Sequence, residues 1–365
     1  MDIKASERKE PLIRIVKRNE LSRTQVLALR LSSAVMAVAA GGLFILMLGF
    51  NPFMIYASIV SGAFRSSVAL QATIKIMIPL LISSLGVSLA FKMKFWNIGA
   101  EGQIIAGAIF ASYFALYHGL WPRQALIPAM LAAGIVGGGI WGLIPAIFKN
   151  KFNTNETLFT LMLNYIALNL IVFLRDGPWA DPESGGFPKI ARFVPNVQLP
   201  KLFGVQIGWI FALALAVFLH VYMKRSKHGY EISVVGESAS TAEYAGMNVR
   251  WIVLRTMFLS GGICGAAGMI QAAGSDYTLA QSVAGGVGFT AIIVAWLADL
   301  SPLGIFIVSF LFSVLSKGCS VMQSTYGIST YSSNVLQGVI LFFVLGCEFF
   351  IRHRFALRAP EGEAH

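Results

Sequence analysis

The sequence predicts an all-α, polytopic membrane protein with about ten transmembrane helices. Hydrophobic residues make up 56% of the 365 residues and charged residues only 12%, whereas a soluble domain carries about 25% charged residues. So few charges are not enough to coat a water-facing surface. Apolar runs close to the ~20 residues that one spanning helix needs recur along the chain, which leaves no room for a large soluble domain.

The apolar runs also predict the domain organisation. A cytoplasmic segment is expected for residues 1–26, a transmembrane domain for 27–351 and a cytoplasmic tail for 352–365. The first run follows a charged stretch and is too long for the apolar part of a signal peptide, so it is interpreted as a retained helix. The run 52–64 is shorter and is interpreted as a re-entrant or interfacial piece. The predicted spans are 27–50, 68–91, 98–118, 125–148, 156–174, 207–223, 251–272, 286–300, 303–323 and 333–351.

The positions of Lys and Arg predict the orientation of the chain. With the N-terminus in the cytoplasm, the inner segments hold 20 of the 28 Lys and Arg residues and the rest of the chain holds 8. Cytoplasmic loops of membrane proteins collect these residues, so the split favours an even number of spans with both termini inside. The net charge of +11 is therefore attributed to topology, and no nucleic-acid partner is expected.

Two connections are long. Loop 175–206, predicted to face outward, contains five prolines and is either a docking surface or only a proline-rich connection. Loop 224–250, predicted to face inward, has helical character around Ser238–Gly246. A helix there would be a natural contact for a soluble partner protein.

Glycine patterns predict close helix packing and a broken repeat. Glycines recur every four residues at 134–142 and at 261–265, a spacing that lets helix backbones approach. Spans three and eight each begin with a glycine-broken segment, at 96–103 and 285–290. When the ten spans are divided into two halves of five, these two segments occupy corresponding positions. Because five is an odd number, the two halves would have opposite topology. Paired broken segments in an inverted repeat indicate a central translocation pathway.

A few polar residues in the spans are candidates for function. Asn97 and Glu101 are four residues apart and would share a face if both were helical. Glu101 is either part of the polar wall of a pathway or a carboxylate that interacts with a helix dipole. Asn164 lies mid-span and is either a hydrogen-bonding link between helices or a contact for the solute. Lys317 either snorkels to the outer interface or lies in the pathway.

The sequence contains no pattern of an active site. There is no HExxH, and no Lys is followed by Ser or Thr, so a Walker A sequence is absent. The three cysteines, Cys264, Cys319 and Cys347, lie in apolar runs without a CxxC spacing, and no disulfide, metal site or cofactor is expected. The chain is therefore not expected to be an enzyme, and any ATP hydrolysis would belong to another chain.

Four motifs resemble those of one transport family. The segment 95–103, FWNIGAEGQ, resembles the FNIGxEGQ signature of permease subunits in bacterial ABC importers, in the sugar and nucleoside branch related to ribose and branched-chain amino acid permeases. Three further segments, 155–166, 235–248 and 286–304, are similar to the NExxxTxMLNYIA, VGxNxxAAxYAGI and GxGFxxIAVALLG…PxG segments of that family. The motifs occur in matching order over roughly residues 40–350.

The resemblance implies a permease of about ten helices, built as an inverted five-helix repeat in the inner membrane. It implies three partners: an ATP-binding subunit, a second permease subunit that is identical or paralogous, and an extracytoplasmic solute-binding protein. It assigns the inward segment around Glu237–Gly246 as the coupling helix that docks on the ATPase. The residues expected to serve this coupling are Glu237, Glu243, Ala245 and Gly246.

The expected solute is small and polar, and the segment 155–166 points to a nucleoside or purine. The residues expected to line its path are Asn97, Glu101, Gln103 and Asn164. A simple-sugar permease and an ion-coupled secondary transporter remain as alternatives. The chain departs from the family pattern at 295–299, where AWLAD replaces a small-residue stretch, and at Lys317. Because of both departures, the resemblance does not define the exact solute.

Overall fold

The described part of the protein is mostly helical, as the sequence predicts. The computed structural model describes residues 13–17 and 22–357, so most of the predicted cytoplasmic segments 1–26 and 352–365 lies outside the described residues. Within the described residues the helices are α1 (Arg23–Met47), α2 (Pro52–Phe64), α3 (Ser67–Lys92), α4 (Ala100–Tyr117), α5 (Arg123–Phe152), α6 (Glu156–Asp176), α7 (Gly208–Arg225), α8 (Lys227–Glu237), α9 (Ala239–Tyr244), α10 (Val249–Gln271), α11 (Val287–Leu297), α12 (Pro302–Tyr326) and α13 (Thr330–Arg352). The strands are β1 (Ile13–Lys17), β2 (Lys201–Leu202), β3 (Val205–Gln206) and β4 (His353–Leu357).

Eight of the described helices are long and apolar enough to cross a membrane. The other two predicted spans correspond to α4 and α11. The predicted span 286–300 is wrong in length, because α11 has only 11 residues. Such a helix is about 16 Å long, which is half of the ~30 Å hydrocarbon core. The predicted short piece 52–64 is the 13-residue helix α2.

The chain divides into two compact units, of which the smaller comprises the two ends of the sequence up to Tyr56 and from Ile328. In this unit α1 packs against α13, and the Tyr56 hydroxyl donates a hydrogen bond to the Val38 carbonyl at 2.7 Å. Strand β1 pairs with β4 in antiparallel fashion.

The larger unit, Ala57–Gly327, is organised around α3 and α10. Both helices are buried along most of their length. Helix α10 packs against α4 and α5, whereas α3 packs against α11 and α12. The order α3, α4, α5 thus matches the order α10, α11, α12, and each central helix contacts the two helices that follow the other. This exchange of partners is the pattern that a duplicated three-helix unit produces.

The close helix packing predicted from the glycine spacing is confirmed. The glycines of α5 face those of α10, and a Cβ on Gly138 would overlap the Gly261 carbonyl oxygen. A Cβ on Gly265 would likewise overlap the Gly134 carbonyl oxygen. The two helices therefore approach backbone to backbone, which only glycine permits at these positions.

The two long connections have different structures. Loop 224–250 contains α8 and the short α9, which confirms its predicted helical character around Ser238–Gly246. Loop 175–206 ends in the β2–β3 hairpin and buries Ile190, Phe193 and Val197 against the helices. Four of the five prolines, Pro178, Pro182, Pro188 and Pro195, are nevertheless exposed.

Candidate functional site

Asn97 lies in the loop between α3 and α4 and is fully buried. Its Oδ1 accepts a hydrogen bond from the Gly99 N–H at 2.9 Å. Its Nδ2 donates to Gln103 Oε1 at 3.2 Å, and Gln103 Nε2 donates back to Asn97 Oδ1 at 3.3 Å. This pair of side-chain amides fixes the loop to the first turn of α4.

The expectation that Asn97 and Glu101 share one helix face is wrong. Helix α4 begins at Ala100, so Glu101 is helical and Asn97 is not. The physical reason is that the Asn97 side chain hydrogen-bonds the backbone two residues later, as asparagine does in turns. The two side chains consequently have different partners.

The Glu101 carboxylate joins the beginnings of two helices. Glu101 lies in the first turn of α4 and is only 4% exposed. Its Oε1 accepts a hydrogen bond from the Gly286 N–H at 2.7 Å, and its Oε2 accepts one from the Gly288 N–H at 2.8 Å. Gly286 is the residue immediately before α11 and Gly288 lies in its first turn.

This arrangement provides hydrogen-bond partners both for the Glu101 carboxylate and for the N–H groups at the start of α11. The first N–H groups of a helix have no partner within the helix, and the positive end of its dipole favours a carboxylate. Bonds from N–H groups to an ionised oxygen are among the stronger hydrogen bonds in proteins. The glycines are required here, because Gly286 has a φ of +81° and a Cβ on Gly288 would overlap the Glu101 backbone. The sequence suggested a helix-end role for Glu101, and the partner helix is α11.

Asn164 ties α6 to the same loop. Its Oδ1 accepts a hydrogen bond from the Gly102 N–H at 2.8 Å, and its Nδ2 donates to the Ile98 carbonyl at 2.9 Å. One turn earlier on α6, the Thr160 hydroxyl accepts a hydrogen bond from the Ile98 N–H at 3.1 Å. The amide of Asn164 therefore links two helices, which is one of the two roles that the sequence left open.

The four residues expected to line the path thus lie together at the start of α4. Asn97, Glu101, Gln103 and Asn164 are each at most 4% exposed. Each has its side chain engaged by protein groups within this cluster, which we name the α4 knot (Asn97, Glu101, Gln103, Asn164 and their bonded backbone groups). The α4 knot holds α4, α6 and α11 together.

A segment that departs from the family pattern packs against the loop that carries the α4 knot. Trp296 of α11 stacks on Trp96, with ring centroids 5.5 Å apart and planes 16° from parallel. Phe91 at the end of α3 contacts both rings at 5.7 Å. The segment 295–299 therefore supplies a further contact of α11, in this case with the loop between α3 and α4.

The residues expected to dock on an ATPase lie on an exposed hairpin. Helix α8 ends at Glu237, Ser238 caps α9, and α9 ends at Tyr244. Glu237, Glu243, Ala245 and Gly246 are all exposed, and Tyr244 is 94% exposed. We name the exposed side of residues 237–246 the α9 surface.

The underside of the same hairpin packs against the end of α3. Ala242 is fully buried and lies in an apolar cluster with Met93 and Phe95. A Cβ on Gly236 would overlap the Lys92 carbonyl oxygen, so α8 and α3 meet at van der Waals distance. The α9 surface is thus connected through the end of α3 to the loop that carries Asn97.

An ion pair fixes α8 to α10. Arg255 Nη2 lies 2.8 Å from Glu231 Oε2, with Lys227 and His228 beside the same carboxylate. The hydrogen bond from Arg255 lowers the pKa of Glu231 below its ordinary value. The pair therefore stays ionised at neutral pH and holds the hairpin to the helix bundle.

A polar cleft of about 700 Å³ lies at the C-terminal end of α6. Glu156 at the start of α6 pairs with Lys149 at 2.9 Å, beside the start of α10, whereas Arg175 at its other end lines the cleft. The cleft is bounded by loop 175–206 and by a π-helical turn, Ala272–Asp276. Its charged and polar lining consists of Arg175, Asp181, Lys189, Arg192, Ser275, Asp276, Tyr277, Thr278 and Gln281.

Two other features contribute less to a polar site. Lys317 is half-buried within α12, without an ion-pair partner in the part of the chain that the structure describes. A cavity of about 450 Å³ between α3, α7 and α12 has almost entirely apolar walls, including Met77, Trp209 and Phe306. Such walls do not suit a small polar solute.

The chain matches known transport proteins over most of its length. The family model described as "Branched-chain amino acid transport system / permease component" matches residues 68–345. A glucose ABC transporter permease protein of Haloferax volcanii is 31% identical, over 87% of both chains. A guanosine ABC transporter permease protein of Bacillus subtilis is 29% identical over 89% of this chain and 94% of its own. A nucleoside ABC transporter permease protein of Lactococcus lactis is 29% identical over 88% and 92%.

Proposed function

Because the chain belongs to the permease-component family of branched-chain amino acid transport systems, we propose that it is the membrane-spanning subunit of an ATP-driven nucleoside importer. Two of the relatives named above are permeases for guanosine or nucleosides. Hydrolysis of ATP is assigned to a partner chain, since no Walker A sequence is present. The solute is a purine nucleoside.

One observation carries this proposal. An exposed surface at one end of the bundle, the α9 surface, connects through buried contacts to the α4 knot. Gly236 of the hairpin packs on Lys92, and Met93 and Phe95 pack on the hairpin as well. The chain then continues to Asn97 and Glu101. A docking surface tied to the interior in this way suits a subunit that is moved by another protein.

The mechanism follows from these contacts. A push on the α9 surface displaces the end of α3 and the loop that follows it. The α4 knot transmits this displacement to α6 through Asn164 and to α11 through Glu101. Because packed helices shift between discrete arrangements, the bundle alternates between openings to the two sides of the membrane.

The assembly comprises the ATP-binding subunit, a second permease chain and an extracytoplasmic solute-binding protein. The α9 surface, with Glu237, Glu243, Ala245 and Gly246, receives the ATP-binding subunit. Both termini face the cytoplasm of a cell with this chain in its inner membrane, in agreement with the distribution of Lys and Arg. No nucleic acid takes part.

The buried residues of the α4 knot shape the pathway. Asn97, Glu101, Gln103 and Asn164 were expected to line it, and their burial favours a role in positioning the helices that do. Any direct contact with the solute requires the knot to open during the cycle.

A sugar is the second candidate solute. The relative with 31% identity is a glucose permease, and its match covers the same length as the nucleoside relatives. The two candidates predict different results in a single uptake experiment.

The experiment is uptake into vesicles by the chain co-expressed with its ATP-binding and solute-binding subunits. Labelled guanosine, adenosine, glucose and ribose are offered with and without ATP. Accumulation of a nucleoside that needs every subunit and ATP supports the proposal. Accumulation of sugar alone refutes the proposed solute, and uptake without the ATP-binding subunit, abolished by an ionophore, refutes the ATP-driven mechanism.

A further inference from the structure

Within the part of the chain that the structure describes, helix α6 is packed on one side only. Its buried residues face α4 and α5, and a continuous stripe on the other side is exposed. The stripe, which we name the α6 face, consists of Leu158, Met162, Tyr165, Ile166, Asn169 and Phe173.

The α6 face is polar at its centre. Helix α6 has 21 residues and is therefore about 31 Å long, with Tyr165 close to its midpoint and Asn169 one turn further. Asn169 Nδ2 donates to the Tyr165 carbonyl at 2.8 Å. Neither Asn169 Oδ1 nor the Tyr165 hydroxyl has a hydrogen-bond partner among the residues that the structure describes. Tyr165 is 57% exposed.

Unpaired polar groups at this depth are unfavourable in lipid. Burying an amide or hydroxyl in an apolar medium without a partner is unfavourable, and hydrocarbon offers no water to replace the partner. Tyr165 and Asn169 therefore favour a neighbouring space that supplies polar partners, as a water-filled pathway does. Asn164 lies five residues before Asn169 and is in a different environment. Both its Oδ1 and its Nδ2 are hydrogen-bonded within the α4 knot.

The α6 face leads towards the polar cleft. Arg175, one and a half turns beyond Asn169, lines that cleft, and its Nη1 lies 3.5 Å from Gln281 Oε1 across it. Asp176, which lies almost directly above Asn169 on the helix, is also exposed. Asp176 pairs with Arg175 at 2.6 Å, so this end of the α6 face lies beside the cleft, with the apolar Phe173 between Asp176 and Asn169.

We propose that the α6 face is a wall of the solute pathway and that Tyr165 and Asn169 contact the nucleoside in transit. This inference rests on the proposed function. An aromatic ring stacks on the face of a base, and an asparagine amide pairs with the donor and acceptor groups along a base edge. The ring of Tyr165 and the free Oδ1 of Asn169 lie one turn apart on the same face, as such a contact requires. Arg175 and the cleft receive the solute before it reaches them.

The test compares uptake kinetics of the assembled transporter with substitutions on the α6 face. Asn169→Leu and Tyr165→Leu remove the polar groups while they keep an apolar volume that the membrane accepts. The matched controls on α13 are Asn334→Leu and Phe342→Leu, both at exposed positions. Guanosine, adenosine and glucose are offered to each variant, and co-purification of the other subunits measures assembly.

We expect Asn169→Leu to raise the KM for the carried nucleoside about tenfold, with the subunits still co-purifying and the α13 controls unchanged. Asn169→Gln is expected to restore part of the affinity. Tyr165→Leu is expected to change the ratio of guanosine to adenosine uptake, and Tyr165→Phe is expected to change it less. Unchanged KM values and ratios would overturn the inference. Loss of uptake together with loss of co-purified subunits would also overturn it, because the face would then be a protein-packing surface.

Failure of this inference is distinguishable from failure of the proposed function. A wild-type transporter that carries glucose and no nucleoside refutes the proposed solute. The α6 face is then assessed with glucose, and an unchanged KM in Asn169→Leu refutes its role as a pathway wall.

Discussion

Glu101 Oε2 accepts a hydrogen bond from the Gly288 N–H at 2.8 Å, although the two residues are 187 positions apart in sequence. The bond joins the first turn of α4 to the first turn of α11. These helices occupy corresponding places in the order α3, α4, α5 and α10, α11, α12. The contact therefore lies where two similar three-helix segments meet.

Replacement of Glu101 by Gln is expected to weaken this junction. The side-chain amide offers one oxygen, so one of the two glycine N–H groups would face an NH₂ group. A buried donor left without a partner costs about 1–3 kcal/mol. Thermal unfolding of the purified chain in detergent should show a lower Tm for Glu101→Gln than for the control Glu183→Gln, which lies on an exposed loop. Equal Tm values would mean that the carboxylate bridge adds no stability.

Gly288→Ala is expected to disturb the same contact from the other side. The new Cβ would overlap the Glu101 backbone N and Cα, and overpacking of this kind costs about 1–3 kcal/mol. The control is Gly338→Ala on α13, where a Cβ would meet nothing within 4 Å. Yield of folded protein, followed by size-exclusion chromatography, is expected to fall for Gly288→Ala alone. A yield equal to that of the control would show that α4 and α11 are free to separate here.

Asn164 and Asn169 are expected to respond differently to the same substitution. Asn164→Ala leaves the Gly102 N–H and the Ile98 carbonyl without partners and should lower the free energy of unfolding by about 1–3 kcal/mol. Asn169→Ala removes an exposed side chain and should leave the Tm nearly unchanged while it raises the KM for uptake. Parallel measurement of Tm and KM checks both expectations. A reversal of the two effects would show that the roles assigned to these residues are exchanged.

Charge reversal on the α9 surface is expected to uncouple ATP hydrolysis from uptake. Glu237 and Glu243 are exposed and lie on the hairpin that packs on the end of α3. Glu237→Lys and Glu243→Lys should lower the number of solute molecules moved per ATP without loss of the folded chain. Glu183→Lys in loop 175–206 reverses the same charge at the other end of the protein and should leave the ratio unchanged. Normal ratios in both hairpin variants would exclude this surface as the ATPase contact.

Sequence patterns predicted most of the helices, although α11 is shorter than predicted, and they singled out the four residues that form the α4 knot. The spacing of glycines predicted close backbone approach, because such approach depends only on the absence of a Cβ, and the structure shows that the glycines of α5 and α10 face each other. The pairing of Glu101 with Gly286 and Gly288 was not predictable, because hydrogen bonds between residues this far apart depend on tertiary placement. The segments at 96–103 and 285–290 were the only available signal, as they have matching places in the two halves.

The choice between Asn164 and Asn169 shows a second limit of sequence reasoning. Both are asparagines in the same apolar span, so composition and hydropathy treat them alike. Their environments differ because a helix turns by 100° per residue, and five residues place them on faces 140° apart. Only the packing of α4 and α5 on one face of α6 decides which amide is engaged.

The decisive measurement is the coupling ratio of Glu101→Ala in the assembled transporter. ATP hydrolysis and guanosine uptake are measured in the same vesicles, with Glu183→Ala as the control. If Glu101 transmits motion from the end of α3 to α11, the variant still hydrolyses ATP with all subunits present, and guanosine moved per ATP falls at least about tenfold. A wild-type ratio at normal expression would show that α4 and α11 move without this bridge and would remove Glu101 from the mechanism.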